Sequence, residues 1–102
     1  MEQTAESYLA LVAAVQAAAP QPLSALAAGL LAALHLGIAG DSRAFAQQFD
    51  IPHALALRAV SELAALDLVE TGTRDPRTQR TSYALTRAGR DLLESPPAPA
   101  AP

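Results

Sequence analysis

SRAFAQQFDIPHALALRAVSELAAL, residues 42 to 66, divides into two helical patterns with one break between them. Asp41 or Ser42 suits the N-cap of the first. Phe45 and Phe49 stand four apart and therefore share one face of a short helix. Asp50 follows as the turn residue, one of the few types besides glycine that tolerate left-handed backbone. Ile51 tucks inward, and Pro52 suits the first turn of a longer helix reaching about Leu66. Ala56, Ala59 or Val60, Leu63 and Leu66 recur at the spacing of a buried stripe. A short helix, a tight turn and a longer helix, each with an apolar face, form the pattern of a helix-turn-helix.

Upstream, residues 2–19 predict a first helix. Thr4 caps it, Tyr8, Leu9, Val12 and Val15 recur at helical spacing, and Pro20 ends it. A second helix is expected from Pro22 to Leu36, with Leu23, Leu26, Leu30 and Leu34 as its stripe and Gly37 as the C-terminal glycine. His35, in its last turn, fits a cation at the negative end of the helix dipole. Ile38–Gly40 leaves room for one short extended link. Downstream, Leu68–Thr71 and Thr81–Leu85 read as two strands around the nine polar residues GTRDPRTQR, a hairpin with a long loop. Thr86 then caps a short helix to about Leu93, and SPPAPAAP (95–102) is too poor in packable side chains to fold alone.

The 102 residues fit one domain over 1–94, mainly α with a small β-hairpin. Hydrophobic residues make up 51% but aromatics only 4%, which favours packed Ala/Leu helices over a β-sandwich. No charge occurs between Glu6 and Asp41, yet Pro20 and Pro22 cut that region into pieces too short for a span. Two core helices are expected there and no membrane contact. Glu2 and Glu6 stand where a signal peptide carries positive charge. The absence of cysteine suits a reducing, cytoplasmic setting.

Charge is segregated along the chain. The formal net charge is −3 and there is no lysine, yet five of the seven arginines lie between Arg74 and Arg90. Only Asp75 opposes them over 72–90. A surface that meets a polyanion at one point needs its positive charge there, not over the whole molecule.

The segments FAQQFDI, RAVSELAALDLVE, DPRTQR and LTRAGRDLL occur in this order, and together they resemble the winged-helix core of MarR-type bacterial transcriptional regulators. The similarity covers about residues 23 to 94, and LTRAGRDLL after a charged hairpin is shared with PadR- and ArsR-like winged helices. The resemblance implies a winged helix-turn-helix over 42–66, with a wing over 68–85, that binds double-stranded DNA as a regulator of transcription. Asp67 stands where the family usually has glycine, and the wing is about one residue shorter. MarR proteins build their dimer from long helices after the wing, and this sequence has one short helix there. A homodimer contact is therefore assigned to the first helix (1–21), at Tyr8, Leu9, Leu11, Val12 and Val15, whose apolar side chains lie on more than one side.

Within this frame the DNA-contact candidates are Ser42 and Arg43 at the start of the first motif helix, His53, Arg58 and Ser61 on the second, and Arg74, Arg77 and Arg80 in the loop. Guanidinium groups pair with phosphate oxygens in a bidentate fork or enter the minor groove. Pro52, His53, Ala54, Leu57, Arg58 and Ser61 are expected to point outward. Ala54, Leu55 and Leu57 instead suit thymine methyl groups or, equally, a protein partner, so a protein-interaction module without DNA binding that uses the Leu55/Leu57 surface is the competing reading. Small-molecule effectors bind many MarR-type proteins; here no residue is assigned to one. Neither histidine has metal-ligand spacing around it, and no nucleophile motif, phosphate loop or carboxylate pair occurs, so neither an enzyme nor a cofactor is expected.

Overall fold

The structure, a computed structural model, describes residues 5–19 and 21–94. In chain order the elements are α1 (Ala5–Ala18), α2 (Ala25–His35), α3 (Ser42–Phe49), α4 (His53–Ala65), β1 (Val69–Arg74), β2 (Thr81–Leu85) and α5 (Arg87–Glu94). The architecture is mainly helical with one small antiparallel hairpin. The expected Thr4 cap, Pro20 stop and 95–102 tail lie outside the described residues. Among the described residues no helix is long and apolar enough to cross a membrane.

α2 is the centre of the molecule, with α1, α4, α5 and β2 packed on it. Ala27 through Ala33 form an unbroken buried run. This corrects the expected leucine stripe: Leu26 and Leu34 are only half-buried, while Leu31 and four alanines are fully enclosed. Alanine lets neighbouring elements approach from every side, and a helix apolar all round belongs inside. The start also differs. Pro22 precedes the helix, and Ser24 caps it, with its Oγ accepting from Ala27 N–H at 3.0 Å. Glu62 of α4 reaches this cap, taking Ser24 N–H on Oε2 at 3.0 Å and the Ser24 hydroxyl on Oε1 at 2.9 Å. A carboxylate at a helix N-terminus is favourably placed against the dipole. At the other end Gly37, with φ +74°, closes the helix as Ile38 N–H returns to the Ala33 carbonyl.

α3 begins as expected at an Asp41 cap, whose Oδ1 accepts from Ala44 N–H at 2.8 Å. Its end at Asp50 is left-handed, φ 55° and ψ 51°, as the sequence predicts. Phe45 is buried and lies 4.8 Å from Phe49, centroid to centroid; Phe49 stacks in turn on Tyr8 of α1 at 5.1 Å. α4 buries Ala56, Ala59, Val60 and Leu63, while Leu66 is half-buried beyond its end. Pro52 is the N-cap rather than a first-turn residue. Asp67, φ 60°, then reverses the chain, with Leu68 N–H returned to the Leu63 carbonyl at 2.9 Å.

The hairpin is longer and its loop shorter than expected. β1 extends to Arg74, and pairing runs from Val69↔Leu85 to Arg74↔Thr81 with a bulge between Thr71 and Arg74. The extended link expected at 38–40 forms no strand; the residue after it, Asp41, makes a single bridge to Ser82. Thr86 caps α5 through Gly89 N–H and hydrogen-bonds the Asp67 carbonyl. A side chain on Gly89 would collide with the Leu68 carbonyl, so glycine sets how closely α5 meets the hairpin.

Candidate functional site

The eight residues singled out from the sequence fall into two sets. Ser42, Arg43, His53 and Arg80 are engaged within the fold. Ser42 is fully buried at the start of α3, accepts Thr81 N–H from β2 at 2.9 Å, and lies 2.7 Å from His53 Nε2 at the start of α4. One hydroxyl therefore joins α3, α4 and the hairpin. Arg43 Nη2 donates to the Thr78 carbonyl in the loop at 2.6 Å. Arg80 approaches Asp41 Oδ1 at 3.7 Å, the same oxygen that caps α3. The side chains of Ser42 and Arg43, both candidates for a DNA contact, are thus engaged in tying the hairpin to the helix pair.

Arg58, Ser61, Arg74 and Arg77 form the second set. All four are exposed, and the guanidinium groups of Arg58, Arg74 and Arg77 make no hydrogen bond or ion pair among the described residues. Arg58 and Ser61 stand on the outer face of α4, and Arg74 and Arg77 on the hairpin. A groove of about 430 Å³ lies between α4 and the hairpin, lined by Leu57, Val60, Ser61 and Ala64 on one side and by Thr71, Arg74 and Thr81 on the other. On the far side of Leu57 a second groove, about 630 Å³, is lined by Leu26, Leu55, Arg58 and Glu62. Leu57 and Ser61 border both grooves and so form the ridge between them.

The hairpin loop has its own framework, centred on Asp75. Its carboxylate accepts from Arg77 N–H at 2.8 Å and Thr78 N–H at 3.4 Å, and its carbonyl from Gln79 N–H at 2.7 Å. Gln79 turns at φ 64°. An aspartate before a proline is a local turn signal, so this framework was readable in the sequence. The longer-range partners Glu62, Thr78 and Thr81 were not.

Burial lowers the His53 pKa below the ordinary histidine value, and Arg43, Arg74 and Arg80 lower it further against the opposing pull of Asp41. The imidazole is therefore held toward its neutral form. Tyr83 is buried on the inner face of the hairpin with its hydroxyl unpaired among the described residues, and burial raises its pKa. No group of three or more His, Cys, Asp or Glu able to hold a metal ion occurs among the described residues.

The five residues assigned to a dimer contact are placed unequally. Val15 is fully buried in the chain's own core, which takes its side chain out of any contact between copies. Tyr8 is half-buried against Phe49, and Leu11 and Val12 are half-buried on the same core. Leu9, 62% exposed, faces outward. Compared with protein families, curated proteins and solved structures, the chain matches none significantly.

Proposed function

We propose that this chain is a winged helix-turn-helix that binds double-stranded DNA and regulates transcription, with α4 in the major groove and the β1–β2 hairpin as a wing on the backbone or in the minor groove. The observation that carries the reading is three exposed guanidinium groups without a partner among the described residues, Arg58 on α4 and Arg74 and Arg77 on the hairpin, beside a groove between helix and hairpin that Arg74 lines, in a chain of net charge −3. Duplex DNA presents phosphates on either side of each groove, and arginines that neutralise them release counterions. The resemblance to MarR-type regulators points the same way and brings with it a cytoplasmic homodimer on a palindromic operator. Leu9 is the first-helix side chain best placed to meet a second copy.

The test is a titration of labelled duplex DNA, including the region upstream of the gene, at two salt concentrations. Binding is expected to weaken steeply with salt, and Arg58→Ala and Arg77→Ala should each lower the slope by about one counterion. A chain that binds no duplex even at low salt is not a DNA regulator. Sedimentation at micromolar concentration checks the dimer, with a monomer as the contrary result.

One observation favours a second reading. Leu55 is 39% exposed and lines the 630 Å³ groove with Leu26 and Leu57, an apolar surface that a protein partner would cover. The exposed arginines of the hairpin, in a chain of net charge −3, weigh the balance toward DNA.

A further inference from the structure

α4 offers little hydrogen-bonding equipment to a groove. Its buried positions are Ala56, Ala59, Val60 and Leu63, so at about 100° per residue the opposite face centres on Ala54, Arg58 and Ser61. Leu57 stands on the ridge beside them. The remaining polar side chains of the helix are already committed: His53 to Ser42, and Glu62 to the Ser24 cap of α2. One guanidinium and one hydroxyl are left outward. That is too few donors and acceptors to distinguish several base pairs through the usual bidentate pairs. What this face does offer is two apolar side chains, Ala54 at its centre and Leu57 on the ridge, with Arg58 on the other side of Ala54 and Arg74 across the groove from Leu57.

In the major groove the apolar feature of a base edge is the C5-methyl group of thymine. We infer that α4 reads thymine methyl groups: Ala54 and Leu57 close on C5-methyls while Arg58, Arg74 and Arg77 hold the flanking phosphates. The preferred sites are then runs of A·T pairs whose thymines face this ridge. This inference rests on the DNA-binding reading above and assigns its source of sequence preference. The arginines favour a nucleic acid as the partner of this face, since three exposed cations without partners among the described residues gain most where they meet phosphates.

The experiment removes the methyl group without touching a hydrogen bond. Duplexes enriched by the full 102-residue chain from a randomised pool are resynthesised with deoxyuridine in place of thymidine. Each methyl that the ridge buries should contribute about fourfold in affinity, so removing two such methyls together weakens binding by more than tenfold. Leu57→Ser, and separately the exposed-site change Ala54→Ser, should shrink the difference between thymine and uracil duplexes. Arg77→Ala should weaken both duplexes alike. Equal binding of the two duplexes by the unaltered chain overturns the methyl readout and leaves the DNA reading standing. A pool that yields no bound duplex at low salt overturns both, and leaves the apolar grooves to a protein partner.

Discussion

A buried serine hydroxyl has one proton to give and two lone pairs to fill, and Ser42 meets these needs with Thr81 N–H and the His53 ring. Thr81 N–H is itself buried at the first residue of β2, so its acceptor is not replaceable by water without opening the hairpin. Ser42→Ala leaves that amide unpaired, at an expected cost of about 1–3 kcal/mol. Urea unfolding measures it. An unchanged midpoint would mean that the hydroxyl ties nothing together and that the hairpin is held by pairing to β1 alone. The Arg80–Asp41 contact, at 3.7 Å and half open to solvent, is a weaker tie of the same kind.

At the level of elements, what was legible in the sequence was local chemistry. Asp50 as a left-handed turn residue, Asp41 as a cap, Gly37 as a helix stop and Thr86 as the α5 cap are each decided within four residues. The α2 burial pattern was not legible, because alanine carries no periodic signal and only the packing of four neighbours decides that it lies inside. Nor were the ties at the candidate site: Ser42 and Thr81 are 39 residues apart, and Ser24 and Glu62 are 38 apart. Half of the DNA-contact candidates, chosen as polar groups near a motif, proved to be parts of that framework. Asp67 illustrates the middle ground. It stands where glycine is usual in the resembled family, and its φ of 60° shows why glycine would suit. Its backbone ends α4 and its carbonyl accepts from Thr86, while its side chain is exposed. Asp67→Gly removes the left-handed penalty and keeps the carbonyl, so it should stabilise the fold by up to about 1 kcal/mol, offset in part by the freer unfolded chain. Thermal unfolding decides it, and a loss of stability would show that the exposed carboxylate has a structural role that its geometry does not reveal.

For the molecule as a whole, the segregation of charge has a consequence for stability against pH. His53 sits where α3, α4 and the hairpin converge, facing Arg43 of α3, Arg74 and Arg80 of the hairpin, and the single opposing carboxylate Asp41. Burial and those three cations hold its folded pKa below the ordinary value of 6.5 that an unfolded chain restores. Between the two values the unfolded chain binds more protons, so stability rises with pH across that window. The contribution is fully present above 6.5 and is lost as pH falls below 6.5 toward the folded value. Carboxylates elsewhere also titrate on the acid side, so the informative quantity is the difference between the natural chain and His53→Gln, which preserves a partner for Ser42 but carries no ionisable ring. Urea midpoints of both, measured from about pH 7.5 to 5, should separate as pH drops, with the natural chain losing more. Parallel profiles would mean that His53 titrates alike in the folded and unfolded chains, and that the arginines of helix and hairpin lie too far from it to act as one positive surface.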